Sequence, residues 1–309
     1  MGFNKTRIRM KYNKARIAPT PSGFLHLGNI LSFSLTAALA KKCGATILLR
    51  IDDLDRERAL PVYVRDIFDT LKFLEIPWDE GPTDAGEFYR EYSQVHRMQL
   101  YREALQQLQD RGAVFACACS RSQVFSAGLD GAYPGTCRDR GLPLSTADSS
   151  WRLRTSDTVS LSYRTYPDGA VVSSALPVSM RDFVVRKKDG FPAYQLTSLV
   201  DDLHYGIDLI VRGADLLPST LAQLYLAGVL DMPAFRNATF FHHPLLTASS
   251  GEKLSKSAGD TSIHYLRGQG MKPATIYGLI AGQLGLKGGA RNWEELAELA
   301  LAMPPEQGV

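Results

Sequence analysis

Cysteine is scarce, with four in 309 residues, too few and too unevenly spread for the disulfide framework of a small secreted domain. No stretch reaches the roughly 18 apolar residues that a membrane span requires. Charge of one sign is lacking as well. Thirty-five basic residues against 32 acidic ones leave a net +3, a faint basic surplus that a neutral cytoplasmic enzyme would also show. Repeats and low-complexity segments are absent. What remains is 45% hydrophobic and 22% charged, an ordinary composition for a chain long enough to bury one large core or two modest ones.

A basic head (Lys5, Arg7, Arg9, Lys11, Lys14) precedes an apolar run at Ile30–Ala40, a superficial likeness to an export signal. The run comes late, follows Pro19, Pro21 and Gly28, and carries Ser32, Ser34 and Thr36. A buried helix is therefore expected instead, and with it a cytoplasmic enzyme.

The first 60 residues read as strand, glycine turn, helix and strand. A short extended piece at Ala15–Ala18 stops at Pro19-Thr20-Pro21-Ser22-Gly23. Helical spacing over Asn29–Lys42 ends at Gly44, and Thr46–Ile51 is a continuous apolar run. That order predicts the β-α-β opening of a doubly wound parallel sheet, an α/β fold. Helices are predicted at Tyr63–Leu74, Ser93–Gln109, Ala193–Val200 and Pro218–Leu230, and strands at Leu209–Arg212 and Thr239–His242. Between Ala113 and about Asp182 short runs (Trp151–Arg154, Val159–Tyr163, Val178–Met180) read as strands of an inserted α+β module. Two tail helices are expected, Pro273–Leu284 with proline at its start and Asn292–Met303 with Asn292 and Glu295 spaced as a capping box. The resulting division is 1–112 and 186–257 as the two halves of the catalytic domain, 113–185 as the insert, and 258–309 as a short helical tail.

His26-Leu27-Gly28-Asn29 falls where the strand-ending turn meets a helix N-terminus, a place that concentrates unpaired N–H groups and suits phosphate. Gly23 and Gly28 would admit a nucleotide closely. Lys253-Leu254-Ser255-Lys256-Ser257, in a glycine-flanked loop after the last strand, offers two cations and two hydroxyls to a polyphosphate. Either motif alone reads equally well as a loop histidine or a solvated basic loop. Taken together and in this order, H-x-G-x and K-x-S-K-S resemble the signature pair of class I aminoacyl-tRNA synthetases.

The resemblance narrows to glutamyl-tRNA synthetases through Arg16-Ile17-Ala18-Pro19-Thr20-Pro21-Ser22-Gly23-Phe24-Leu25-His26, Leu49-Arg50-Ile51-Asp52-Asp53-Leu54-Asp55 and Trp78-Asp79-Glu80-Gly81-Pro82. Cys117-Ala118-Cys119, Tyr133-Pro134-Gly135-Thr136-Cys137-Arg138, Ala193-Tyr194-Gln195-Leu196, Val200-Asp201-Asp202 and the stretch from Val211 to Thr220 resemble a short branch of that family, the glutamyl-queuosine branch. Its members glutamylate the modified base queuosine in the anticodon of tRNA(Asp). Length agrees. Only 52 residues run from Ala258 to Val309, fewer than the roughly 100 of a separate anticodon-binding domain.

The resemblance implies that Arg16, Tyr194 and Arg212 hold the side-chain carboxylate of L-glutamate and that Thr20 and Asp52 address its α-amino group. It further implies that His26, Gly28, Asn29, Lys253 and Lys256 serve ATP, which would carry Mg²⁺. It also implies a structural Zn²⁺ on Cys117, Cys119, Tyr133 and Cys137. Without the motifs, Arg212 reads as a strand-end surface charge, Asp52 as a helix N-cap and the cysteines as inert core. Partners implied are ATP, glutamate and queuosine-bearing tRNA(Asp), with no membrane and a monomeric enzyme. Two positions depart from the family pattern: Asp52 stands where glutamate is usual, and Asn29 ends the first motif. Rival readings are a tRNA-charging glutamyl-tRNA synthetase, a ligase using another amino acid or a non-tRNA amine, and a non-catalytic RNA-binding paralogue.

Overall fold

The computed structural model describes residues 11–127, 132–246 and 262–303. They fall into two compact units, one made of 11–94, 208–214, 240–246 and 262–303, the other of 95–127, 132–207 and 215–239. Nine strands follow one another along the described chain: β1 (Lys14–Ile17), β2 (Thr46–Leu49), β3 (Val114–Cys117), β4 (Ser150–Leu153), β5 (Ser160–Thr165), β6 (Ala170–Ala175), β7 (Val184–Arg186), β8 (Leu209–Gly213) and β9 (Thr239–His243).

In the first unit β1 lies between β2 and β8, parallel to both, and β9 neighbours β8. The helix Leu27–Cys43 joins β1 to β2, as the apolar spacing predicts. Its end is set by Gly44, whose φ of 73° lets its N–H turn back onto the carbonyl of Ala40, a conformation that costs any residue with a Cβ. β1, β2 and β8 are buried along nearly their whole length. Parallel strands covered on both faces read in sequence as unbroken apolar runs.

The Trp78–Pro82 motif closes the outer edge of this sheet. Asp79 N–H donates to the Ile47 carbonyl at 2.8 Å, and Leu49 N–H donates to the Glu80 carbonyl at 2.9 Å. Gly81 (φ 98°) passes so close to β2 that a Cβ would lie 2.2 Å from the Leu49 oxygen. This motif caps an edge strand; it owes its composition to backbone packing.

Helices Pro61–Phe73, Pro273–Gln283 and Trp293–Leu301 complete the unit. Asn292 caps the last of them by accepting from Glu295 N–H at 2.8 Å. Tyr277 ties the tail inward, its hydroxyl donating to the Leu74 carbonyl at 2.6 Å. A further short helix, Ile263–Gly268, has no counterpart in the sequence reading.

The second unit contains the antiparallel sheet β3-β4-β7, the hairpin β5–β6 and the helices Met98–Asp110, Tyr194–His204 and Leu217–Val229. Two of these helices are joined by a buried ion pair. Arg97 grips Asp201 in two hydrogen bonds of 2.8 and 3.1 Å, and Tyr101 adds a third at 2.7 Å. Burial opposes the charge on Arg97, but the Asp201 carboxylate outweighs it and holds the guanidinium's pKa above its usual range.

Two predicted elements differ. Val178–Met180 is a 3₁₀ turn entered from Pro177, with the Met180 N–H bonded back to the Pro177 carbonyl at 2.8 Å. The helix predicted from Ser93 begins at Met98. Asp53 takes the Ser93 hydroxyl at 2.5 Å and the Gln94 N–H at 2.8 Å, while the Gln94 side chain accepts from Leu54 N–H at 3.0 Å. Those bonds fasten residues 93 and 94 to the loop after β2 and delay the helix.

Candidate active site

Strand order places β2 on one side of β1 and β8 on the other, so the chain reverses its winding between β1 and β8. Ligands of doubly wound sheets bind at the carboxyl ends of strands at such a switch. Three arginines collect there: Arg16 in β1, Arg50 directly after β2 and Arg212 in β8, each no more than 5% exposed. The Ala15–Leu209 pairing sets Arg16 level with Ile210, so by strand alternation Arg16 and Arg212 share a face of the sheet. Arg16 also donates to the Val211 carbonyl at 3.2 Å. Buried guanidiniums persist where anions meet them.

Asp52 lies in this group, 6% exposed. Arg50 holds it through Nε at 2.8 Å and Nη2 at 3.2 Å, a bidentate grip on both oxygens. The backbone carries the loop alongside the end of β1, with Arg50 N–H on the Ile17 carbonyl and Asp52 N–H on that of Pro19. Thr20, exposed, is the next residue after Pro19. Asp52 is thus an ion-paired carboxylate in the loop after β2, with no helix for it to cap.

The phosphate-type turn follows at once. His26 is the N-cap of the helix Leu27–Cys43, and Asn29 returns its side-chain oxygen to the His26 N–H at 3.0 Å. Asn29 therefore completes a capping box, a task that its carbonyl performs and that leaves the amide donors for other use. Gly28 makes room for the imidazole of His26, whose ring would lie 3.1 Å from a Cβ at that position. Around Gly23 nothing lies within 4 Å of such a Cβ. The chain that returns after the second motif reaches the same turn, since Ser262 forms a β-bridge with His26 and Ile263 N–H donates to the Leu25 carbonyl at 2.8 Å. Lys253 and Lys256 lie outside the described residues.

β9 supplies an aromatic backing. Phe240 sits 5.9 Å from the Arg212 guanidinium and stacks with His242 at 6.1 Å and 6°. Burial, then the charges of Arg212 and His243, push the pKa of His242 down to about 3, so the ring adds no cation beside Arg212. Between pH 3 and 6.5 the unfolded chain binds a proton at this histidine that the folded chain refuses. Stability therefore rises with pH across that window and falls on acidification. From pH 7.5 to 5 this one group should remove about 2 kcal/mol. Urea denaturation at the two pH values should show His242→Asn losing less stability than the wild type, and equal losses would refute the assignment.

In the second unit, Tyr194 opens the helix Tyr194–His204 and is 41% exposed. The cysteine cluster is also here. The sulfurs of Cys117, Cys119 and Cys137 lie within 4.8 Å of one another, with Cys119 and Cys137 3.6 Å apart. The Tyr133 oxygen is 3.4 Å from the Cys117 sulfur and accepts the Cys137 N–H at 2.7 Å. Tetrahedral zinc–thiolate bonds of 2.3 Å imply sulfur–sulfur separations of about 3.8 Å, so this donor set fits such an ion. Arg152 lies 3.8 Å from the centre of the Tyr133 ring. Although burial opposes the thiolate, bonds from Tyr133 and Arg152 bring Cys117 down to about 7; burial and the neighbouring thiols hold Cys119 up at about 11.

Arg50, His242 and Arg152 are not among the residues that the sequence marks for a role. Only Arg50 left a signal, the R-I-D spacing of a salt bridge two residues apart. The other two acquire their neighbours from strands distant in sequence.

The geometry accords with the comparisons. Residues 13–127 and 158–293 match the family model of the catalytic domain of class I tRNA synthetases (E and Q). The chain belongs to this family and is a ligase of the aminoacyl-tRNA synthetase type, with the family's α/β fold. Its curated relatives include the glutamyl-Q tRNA(Asp) synthetase of Symbiobacterium thermophilum, 37% identical over 287 residues, covering 88% of this chain and 86% of the relative. That of Pseudomonas aeruginosa is 35% identical over 304 residues, covering 94% and 97%. The solved glutamate-tRNA synthetase of Elizabethkingia anophelis superposes with a TM-score of 0.71 at 22% identity; the match covers 94% of this chain but only 66% of that one. Among the described residues no helix is long and apolar enough to cross a membrane.

Proposed function

We propose that this protein activates L-glutamate with Mg²⁺-bound ATP and transfers the glutamyl group to queuosine in the anticodon of tRNA(Asp). The observation that carries the reading is the buried group of Arg16, Arg50, Arg212 and Asp52 at the switch point, beside the His26 turn. The names and coverage of the relatives, most of whose length this chain spans, support the acceptor.

The chemistry needs no enzyme nucleophile. The substrate's α-carboxylate oxygen attacks the α-phosphorus, pyrophosphate leaves, and a hydroxyl of the acceptor then displaces AMP from the acyl carbon. Catalysis lies in alignment and charge stabilisation. In this reading Arg16, Tyr194 and Arg212 receive the side-chain carboxylate, while Asp52 and Thr20 receive the ammonium. Arg50 aims Asp52, whose oxygens keep lone pairs for a second donor. His26, Gly28, Asn29, Lys253 and Lys256 attend the phosphates. Cys117, Cys119, Tyr133 and Cys137 would hold a structural Zn²⁺ within the 113–185 insert, with Arg152 balancing the surplus negative charge. The ion's contribution there is crosslinking.

The test is ATP/pyrophosphate exchange with each amino acid in the absence of tRNA, followed by transfer to tRNA(Asp) with and without queuosine. Glutamate alone should exchange, and only the modified tRNA should accept. Exchange driven by another amino acid, or label carried by the 3′ end of tRNA(Glu), would overturn the reading. Lys256→Ala should slow glutamate-dependent exchange about 100-fold, and an unchanged rate would refute the role given to that lysine.

A further inference from the structure

Behind the His26 turn stands a group that the reaction as described does not use. Asp66, in the helix Pro61–Phe73, is 3% exposed, and a carboxylate so buried needs donors. It has three: Thr70 Oγ1 at 3.2 Å, His264 Nδ1 at 2.9 Å and Arg267 Nη2 at 2.9 Å. The last two come from the short helix Ile263–Gly268. The His264 ring also lies flat on Phe24, with centroids 4.0 Å apart and planes within 10°. Phe24 meets Tyr63 edge-on at 5.0 Å. Phe24 stands two residues before His26, and the backbone beside it is the strip where Leu25 and His26 pair with Ile263 and Ser262.

His264 thus touches two things at once. Its edge is bonded to a buried acid of one helix, and its face bears on the turn that carries His26. Docking the short helix to Asp66 would need only Arg267, which also approaches Asp69 at 3.9 Å and the Phe73 ring at 6.0 Å. The stack on Phe24 ties that helix to the turn. A stacked ring pair held at its far edge by a charge-assisted bond resists both sliding and tilting, and small displacements of a positioning element are costly to a reaction that depends on alignment.

We propose that Asp66 and His264 are positioning residues for the nucleotide turn, residues 22–29: the acid orients the imidazole, the imidazole orients Phe24, and His26 is held in place for the phosphates. The inference rests on the ATP-dependent activation argued above. It is tested by measuring Mg²⁺·ATP binding calorimetrically, KM for ATP and for glutamate in pyrophosphate exchange, and melting temperature, in four proteins: wild type, His264→Ala, His264→Phe and Arg267→Gln. His264→Ala should weaken ATP binding and raise its KM about 10-fold while leaving KM for glutamate within about twofold. His264→Phe retains the stack and should recover part of that loss. Arg267→Gln, which weakens only the docking of the helix, should lower the melting temperature without changing ATP affinity. A folded His264→Ala with wild-type ATP affinity overturns the proposal, as does an ATP defect that follows melting temperature equally in all three variants. A wild-type protein that binds ATP but exchanges with no amino acid would instead sink the proposed function, with the turn still read directly by calorimetry. No ATP binding by the wild type would overturn both.

Discussion

Arg212→Gln should lower kcat/KM for glutamate in pyrophosphate exchange about 1,000-fold, with KM for ATP changed less than twofold. The guanidinium is 3% exposed at the end of β8, beside a Phe240 ring and a neutral His242. A carboxylate entering this site leaves water, and the charge opposite it is what offsets that loss. Removing one partner of a buried ion pair costs about 3–5 kcal/mol, or roughly two to four decades in rate constant. Glutamine keeps much of the volume and loses the charge. Arg212→Lys should recover only part of the activity, because an ammonium cannot reproduce the two-pronged geometry of a guanidinium. A glutamine variant within about tenfold of the wild type would show that the side-chain carboxylate binds elsewhere.

The second large effect concerns the cysteine cluster. The wild-type protein should be purified with one zinc per chain, and Cys117→Ser or Cys137→Ser should carry less than about a tenth of that. Structural zinc contributes about 10–16 kcal/mol of apparent binding energy in small domains. Here it would join the end of β3 to the loop bearing Tyr133 and Cys137. Chelation should therefore open the segment around residues 113–153 to proteolysis and lower the melting temperature, and restored zinc should reverse both. The low pKa of Cys117, set against burial by Tyr133 and Arg152, favours a thiolate ready for metal. Metal-free protein whose stability is indifferent to chelator would refute the zinc assignment and leave three inert thiols.

Much of the site can be read along the chain because its parts are local. The His26 turn and its helix occupy one continuous stretch, Gly44 ends that helix, and Asn292 starts the last one, each within a few residues of its partner. Short-range rules of capping, periodicity and spacing act over that range. They fail where a distant group competes. Asp53 captures Ser93 and Gln94 and so delays a helix whose own apolar spacing begins earlier. Val178–Met180 has the composition of a strand, but it follows Pro177 and closes as a 3₁₀ turn. The Trp78–Pro82 motif, which carries part of the family resemblance, proves to be an edge cap made necessary by the Gly81 backbone lying against Leu49.

By itself, the amino-acid order determined the β-α-β opening, the glycine and asparagine caps, the two cationic and histidine motifs and the membership of the class I synthetase family. Each depends on residues close in sequence or on a pattern that survives without coordinates. Tertiary structure alone decided that Phe240 and an uncharged His242 back Arg212 and that His264 joins Asp66 to Phe24. The physical reason is that burial and charge are properties of neighbourhoods. A guanidinium's worth and a histidine's protonation are set by the dielectric and the partners around them, and strand order and helix packing bring those together.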